Sequence, residues 1–134
     1  MADLVPVAAN FRPPASAQVQ FRLAAANLEP METVWAINST YVAKANSANA
    51  NAASCVGVTV TRAYQDQHVG YIGQGVVLPG VAVTTGSIYV LSPNGGNICL
   101  ESDLSTNHLT TVIGYGNNST TLTLGINPTG LVRA

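Results

Sequence analysis

The sequence contains an internal repeat, which restricts the chain to folds built from two similar parts. Residues 31–58 and 85–115 share one layout of three short apolar segments separated by a polar turn and a longer polar interval. The matched segments are 34–37 with 88–91, 41–43 with 98–100, and 56–58 with 113–115. The two copies differ in length mainly at the first turn, where insertions are tolerated best. The repeat predicts two related strand-turn-strand units that close over one core.

Most of the chain carries the pattern of short β-strands. Apolar and polar residues alternate in three segments, which are 19–23, 56–63 and 120–126. The middle segment places Val56, Val58 and Val60 on one face. Glycines in 69–79 predict bulges or bends within one or two further strands.

Two polar stretches, 43–54 and 101–111, interrupt the strand pattern. The first is rich in Ala, which favours helix, but its spaced Asn and Ser residues favour turns. The second has no helical stripe. We therefore predict both as loops with at most a helical turn, and the whole chain as an all-β fold, a small barrel or sandwich.

The N-terminal segment has a different character. Residues 2–14 hold three prolines and no sustained period, so we expect an extended arm. Exposure of its apolar side chains to solvent would be unfavourable, so the arm either lies along its own domain or packs on a neighbouring chain. The low charge of the chain favours the neighbouring chain. We divide the chain into 1–27, the arm with the first strand, and 28–134, the β-domain. The residues expected to make the contact are Leu4, Val5, Val7, Phe11, Arg12 and Pro13.

The composition limits the partners of the protein. Charged residues make up 8% of the chain and the net charge is −1, so no basic face can neutralise phosphates, and nucleic-acid binding is excluded. A surface with so little charge does not repel its own copies, which is typical of a protein in an assembly. No apolar run approaches the length of a membrane span, and the N-terminus lacks the pattern of an export signal. We expect neither membrane insertion nor export.

Two cysteines, Cys55 and Cys99, fall in predicted strands. They belong to no CxxC motif or Cys/His cluster, which argues against a metal site. We predict buried, reduced thiols that act as small apolar side chains.

Residues suited to catalysis are few. Both histidines lie in predicted polar loops, where Asp66 could orient His68 and Asp103 could orient His108. Glu101 and Asp103 have the spacing that places two carboxylates on one side of an extended strand. Solvated turn residues explain all of these better, and the glycines of 70–75 lack the helix and Lys of a phosphate loop. We predict no enzyme, no catalytic residue, no metal and no cofactor.

The second half of the chain carries a recognisable pattern. Its parts are Gly80 to Ser92, then Gly96-Asn97-Ile98, Ile113-Gly114-Tyr115 and Thr120 to Leu124. The pattern resembles a β-module common in tailed-phage virion proteins, which occurs in capsid decoration (cement) proteins and in head and tail fibres. The first repeat unit follows a looser form of the same plan.

This resemblance implies a partner that composition cannot name, the major capsid protein. Decoration proteins of this kind commonly sit as homotrimers on the outer capsid surface and stabilise the shell, without catalysis or cofactor. The resemblance thus implies a virion protein made in the bacterial cytoplasm. A head-fibre base or tail adhesin that binds host glycans is the alternative, and it predicts an exposed row of Tyr64, Tyr71 and Tyr115. The lack of a coiled-coil stalk favours cement over fibre.

Overall fold

The computed structural model describes residues 3–4, 19–48, 52–80, 82–104 and 108–132. These residues form eleven strands and one short 3-10 helix, which confirms the prediction of an all-β fold. The strands are β1 (Asp3–Leu4), β2 (Gln20–Ala24), β3 (Thr33–Ala36), β4 (Tyr41–Lys44), β5 (Cys55–Thr59), β6 (His68–Ile72), β7 (Gln74–Val77), β8 (Ile88–Leu91), β9 (Ile98–Leu100), β10 (Leu109–Gly116) and β11 (Leu122–Val132). The 3-10 helix (Glu101–Asp103) follows β9.

The strands form a barrel and an open sheet. The barrel is closed and has the order β2-β4-β3-β5-β6, whereas the sheet has the order β1-β9-β8-β10-β11-β7. The chain passes from the barrel to the sheet at Gly73, between β6 and β7. This confirms the glycine-marked bend predicted in 69–79.

The barrel and the sheet have the same strand pairing. In the barrel β3 pairs antiparallel with β4 and β5, β5 with β6, and β6 with β2. In the sheet β8 pairs antiparallel with β9 and β10, β10 with β11, and β11 with β7. The five strands β2–β6 and the five strands β7–β11 are therefore two copies of one unit, which we call the first unit and the second unit.

Both units carry a bulge at the same place. In the first unit Val34 pairs with Gly57 and Trp35 with Cys55, so the ladder skips Val56. A skipped residue is an extra residue in one strand, which bends that strand. The sequence alignment matches Val56 with Ile113. The ladder between β10 and β8 in the second unit likewise skips Ile113.

The ladders correct the sequence alignment of the repeat by one residue in its first two segments. In the second unit Tyr89 pairs with Gly114 and Val90 with Val112. Counted from the bulge, Tyr89 is therefore the counterpart of Val34, and not of Trp35. The alignment of Trp35 with Tyr89 is wrong by one residue, because an apolar segment without internal landmarks can be aligned at either offset, and only the pairing beside the bulge fixes which residues correspond.

The units differ in how their strands close. In the first unit β2 also pairs in parallel with β4, through Leu23 with Tyr41 and Ala24 with Val42, and this pair closes the barrel. The corresponding pair in the second unit would be β7 with β9. Instead β9 pairs with β1, through Asp3 with Cys99 and Leu4 with Ile98. The second unit is thus an open copy of the barrel whose β9 edge is covered by the N-terminal strand.

The main core lies between the two units. The outer surface of the barrel contributes a set of buried side chains that includes Met31, Cys55, Val58 and Ile72, and the inner face of the sheet contributes Val77, Tyr89, Leu91, Ile113, Leu122 and Leu124. A second cluster of buried side chains fills the interior of the barrel. It consists of Ala24, Leu28, Val34, Val42, Ala63, Val69 and Tyr71. The part of the barrel wall that faces the sheet is therefore apolar on both its inner and its outer surface.

Two predicted strands form but orient differently from the prediction. Segment 19–23 lies in β2, yet Phe21 is exposed, because the side of β2 that enters the barrel carries Ala24. Val56 is also exposed while Val58 is buried, because the bulge at Val56 interrupts the alternation. In the last strand Leu122 and Leu124 are buried as predicted.

Candidate interaction surfaces

The N-terminal strand is held on the sheet by its own side chains. The Asp3 carboxylate accepts hydrogen bonds from Ser92 Oγ at 2.7 Å, Asn94 Nδ2 at 2.8 Å and Asn97 Nδ2 at 3.2 Å. These three donors belong to the turn between β8 and β9. The next residue, Leu4, is buried in the core between the units. We call this contact the β1 anchor.

The β1 anchor bears on the predicted arm. Leu4 pairs with β9 and packs in the core of its own chain, which is the first of the two placements considered for the arm. The segment could attach here because β9 has no partner from its own unit on this side. The other residues predicted for the contact lie outside the described residues. They are Val5, Val7, Phe11, Arg12 and Pro13.

The outer face of the sheet carries a row of uncharged side chains. Ile88 pairs with Tyr115, Tyr115 with Thr123, and Thr123 with Val76, so these four residues lie side by side across four strands. Directly opposed residues of antiparallel strands share a face. Ile88 and Tyr115 are each 49% exposed and Val76 is 41% exposed. We call this set the outer row.

A shallow depression of about 250 Å³ adjoins one end of the outer row. Ile88 belongs to both, and Leu100, Glu101 and Ser102 form the far wall of the depression. The outer row is thus apolar and has a depression beside it, and both features favour contact with another protein surface.

A second exposed apolar group lies on the barrel. The side chains of Val19, Phe21 and Val60 converge above Gly70, because a Cβ built on Gly70 would lie 2.8 Å from Val19 Cγ1, 3.2 Å from Phe21 Cε1 and 3.4 Å from Val60 Cγ2. Phe21 is 62% exposed. Val60 also packs against the core between the units. We call these three side chains the Phe21 patch.

Among the described residues no ion pair joins His68 to Asp66 or His108 to Asp103, and His108 Nδ1 is buried without a hydrogen-bond partner. His68 is exposed at the start of β6, and Asp66 accepts a hydrogen bond from the Tyr41 hydroxyl at 3.0 Å, which raises the pKa of Tyr41. Glu101 and Asp103 lie in the 3-10 helix, where residues two apart point in different directions, so the shared side expected of a strand is wrong. In the described part of the chain no group of three or more His, Cys, Asp or Glu side chains could hold a metal ion.

The row of exposed tyrosines expected for a glycan-binding face does not form. Tyr64 and Tyr115 are exposed, but Tyr71 is buried within the barrel cluster. The Tyr71 ring fits there because Gly57 lacks a side chain, and a Cβ on Gly57 would lie 2.9 Å from Tyr71 Cδ2.

Both cysteines are reduced thiols, and both are buried as predicted for their side chains. Burial raises the pKa of the Cys55 thiol to about 12, and the thiol donates a hydrogen bond to the Gly57 carbonyl at 3.3 Å. The thiolate is the reactive form of cysteine, so a raised pKa and burial both suppress reaction.

We therefore expect the native protein to resist thiol labelling at Cys55. In a Cys99→Ala variant, where Cys55 is the remaining thiol, labelling at pH 8 should be at least about a hundred-fold slower in buffer than in denaturant. The rate is followed with a chromogenic disulfide reagent. Rapid labelling of the folded protein would contradict the buried position of Cys55.

Charged side chains near the barrel are paired within the chain. Arg62 Nε lies 2.8 Å from Glu29 Oε2, and Lys44 Nζ lies 3.3 Å from Glu32 Oε2.

In the described residues no helix is long and apolar enough to cross a membrane. A scan of protein-family models finds no family that matches this chain, and a search of curated proteins finds no similar sequence.

Proposed function

We propose that this protein is a non-enzymatic capsid decoration protein, which binds the major capsid protein on the outer surface of a tailed-phage shell as a homotrimer and stabilises it. The observation that carries the proposal is the outer row, an uncharged apolar surface on a chain with 8% charged residues. An exposed apolar row of this kind favours contact with another protein chain, either in the shell or in a second copy within the trimer. The sequence resemblance of the second unit supplies the class of partner.

The fold suits a protein that must resist force from the shell. Every strand of the two units is hydrogen-bonded into a barrel or sheet, and one core joins both. Asp3 in β1 is also fixed to the sheet, by three side-chain hydrogen bonds. The alternative, a fibre base or adhesin, is less well supported because Tyr71 is buried and cannot contribute to a glycan-binding row.

Binding to capsids tests the proposal directly. Purified protein is added to capsids that lack decoration, and already decorated capsids serve as the control. We expect saturable co-sedimentation with the bare capsids alone, and a higher temperature of DNA release once the protein is bound. The proposal is wrong if the protein does not bind bare capsids, or if antibody labelling of intact virions places it on the tail or fibre tips.

A further inference from the structure

The duplicated fold shows which surfaces could join copies of this chain. In the first unit, Thr33 pairs with Val58 and Val58 with Ile72 across the outer wall of the barrel. These three side chains are at most 1% exposed, because the second unit covers this wall. The fold thus already contains one interface made by the outer face of the unit.

At the same positions of the second unit two side chains are exposed, and the third, a threonine, is half-buried. Counted from the shared bulge, the counterparts of Thr33, Val58 and Ile72 are Ile88, Tyr115 and Thr123, which belong to the outer row. A face that is covered in one copy of the unit is therefore open in the other. Its apolar side chains are retained although nothing in the described chain covers them.

Among the large apolar side chains that are exposed in the described residues, Phe21 is the most exposed at 62%, so we take the Phe21 patch as the surface that meets this open face. It is continuous with the interface between the units, because Val60 contacts both the core and the patch. The sheet of the same chain leaves Phe21 and Val19 exposed at the margin of that interface. The patch and the outer row carry no charged side chain, so contact between them separates no ion from water.

We propose that the Phe21 patch of one copy docks on the outer row of the next copy, head to tail. The inference rests on the proposed homotrimer and identifies the surfaces that would build it. Two different patches on each chain give a heterologous contact, and such contacts close into a ring when the rotation between copies allows it. A three-fold ring would bury both patches in every copy.

Two single variants and their mixture test the docking. Phe21→Asp and Tyr115→Asp each place a charge on one of the two surfaces, and both side chains are exposed enough for the fold to persist. Each variant alone should be a 13.8 kDa monomer where the unaltered protein is a trimer. The mixture retains one intact contact for each pair of chains, so native mass spectrometry should detect a dimer that contains one copy of each variant.

A matched control is Tyr64→Asp, because Tyr64 is exposed and lies in neither surface. We expect this variant to remain a trimer, and circular dichroism should give all three variants the spectrum of the unaltered protein. The docking is overturned if Phe21→Asp or Tyr115→Asp remains a trimer, if Tyr64→Asp also dissociates, or if the mixture yields no dimer.

The capsid assay separates this inference from the proposed function. If the unaltered protein binds bare capsids while the Phe21 and Tyr115 variants remain trimers, the docking is wrong and the function stands. If the variants dissociate as expected but the unaltered trimer does not bind capsids, the docking stands and the function is wrong.

Discussion

Replacing Leu4 by Ala is expected to lower the free energy of unfolding by about 2–4 kcal/mol, the usual cost of truncating a buried leucine. Leu4 is 9% exposed and packs in the core between the two units. It also holds β1 on the edge of β9 together with the Asp3 carboxylate. The loss should therefore free the N-terminal strand as well as leave a gap in the core.

Equilibrium unfolding in urea measures this effect, with Leu78→Ala as the control. Leu78 is 38% exposed, so the same truncation there should cost less than about 1 kcal/mol. Hydrogen exchange provides a second readout, and we expect faster exchange in β9 with little change in β4. Equal stabilities of the two variants would show that β1 does not belong to the core.

Replacing Gly114 by Ala is expected to cost about 3 kcal/mol or more, because the added methyl group has no space. A Cβ at this position would lie 2.1 Å from the Thr123 carbonyl oxygen, which is main chain of the adjoining strand β11. Neither strand can move away without losing the ladder that joins β10 to β8 and β11. The substitution should therefore weaken the centre of the sheet.

Gly125 supplies the matched control for this substitution. It lies in β11, and a Cβ there would meet no atom within 4 Å. Gly125→Ala should therefore change stability by no more than about 1 kcal/mol, and it removes some freedom of the unfolded chain. Thermal unfolding of both variants decides the matter. A Gly114→Ala protein as stable as the Gly125→Ala protein would be incompatible with the close approach of β10 and β11.

The repeat was predictable from sequence because its third segment keeps a glycine after the bulge residue in both copies. Gly57 and Gly114 occupy that position, and each lies against the main chain of the next strand. A glycine required by close packing leaves a signal that a pattern search can find. The extent of the repeat was not predictable, because β2 and β7 resemble each other in their pairing and not in their residues.

Side-chain orientation was harder to predict than the strands themselves. Alternation assigns residues to two faces, but it does not say which face meets the core. In this fold part of the barrel wall is apolar on both faces, so the alternation in β2 was interpreted with Phe21 inside. The glycan-binding alternative required Tyr71 at the surface. Its burial was not predictable from the local sequence, because the space for its ring depends on Gly57 in a neighbouring strand.

The candidate surfaces depend on contacts between distant segments. The outer row joins Val76, Ile88, Tyr115 and Thr123, which come from four strands. No local pattern marks these residues as neighbours. The arm was predicted because its prolines and apolar residues stand together in sequence. The edge that receives Leu4 was not predicted, since it exists only because the second unit stays open.

The way in which the barrel closes bears on the order in which the chain can fold. All strand pairs of the barrel lie within residues 20–72, so this unit can form while the ribosome is still adding the second half. Asp3 pairs with Cys99, and contacts between residues so far apart in sequence form slowly. During synthesis the N-terminal strand therefore cannot pair with β9 until β9 has left the ribosome. Pairing of β1 with β9 would then be a late step, which completes the sheet after the barrel has formed.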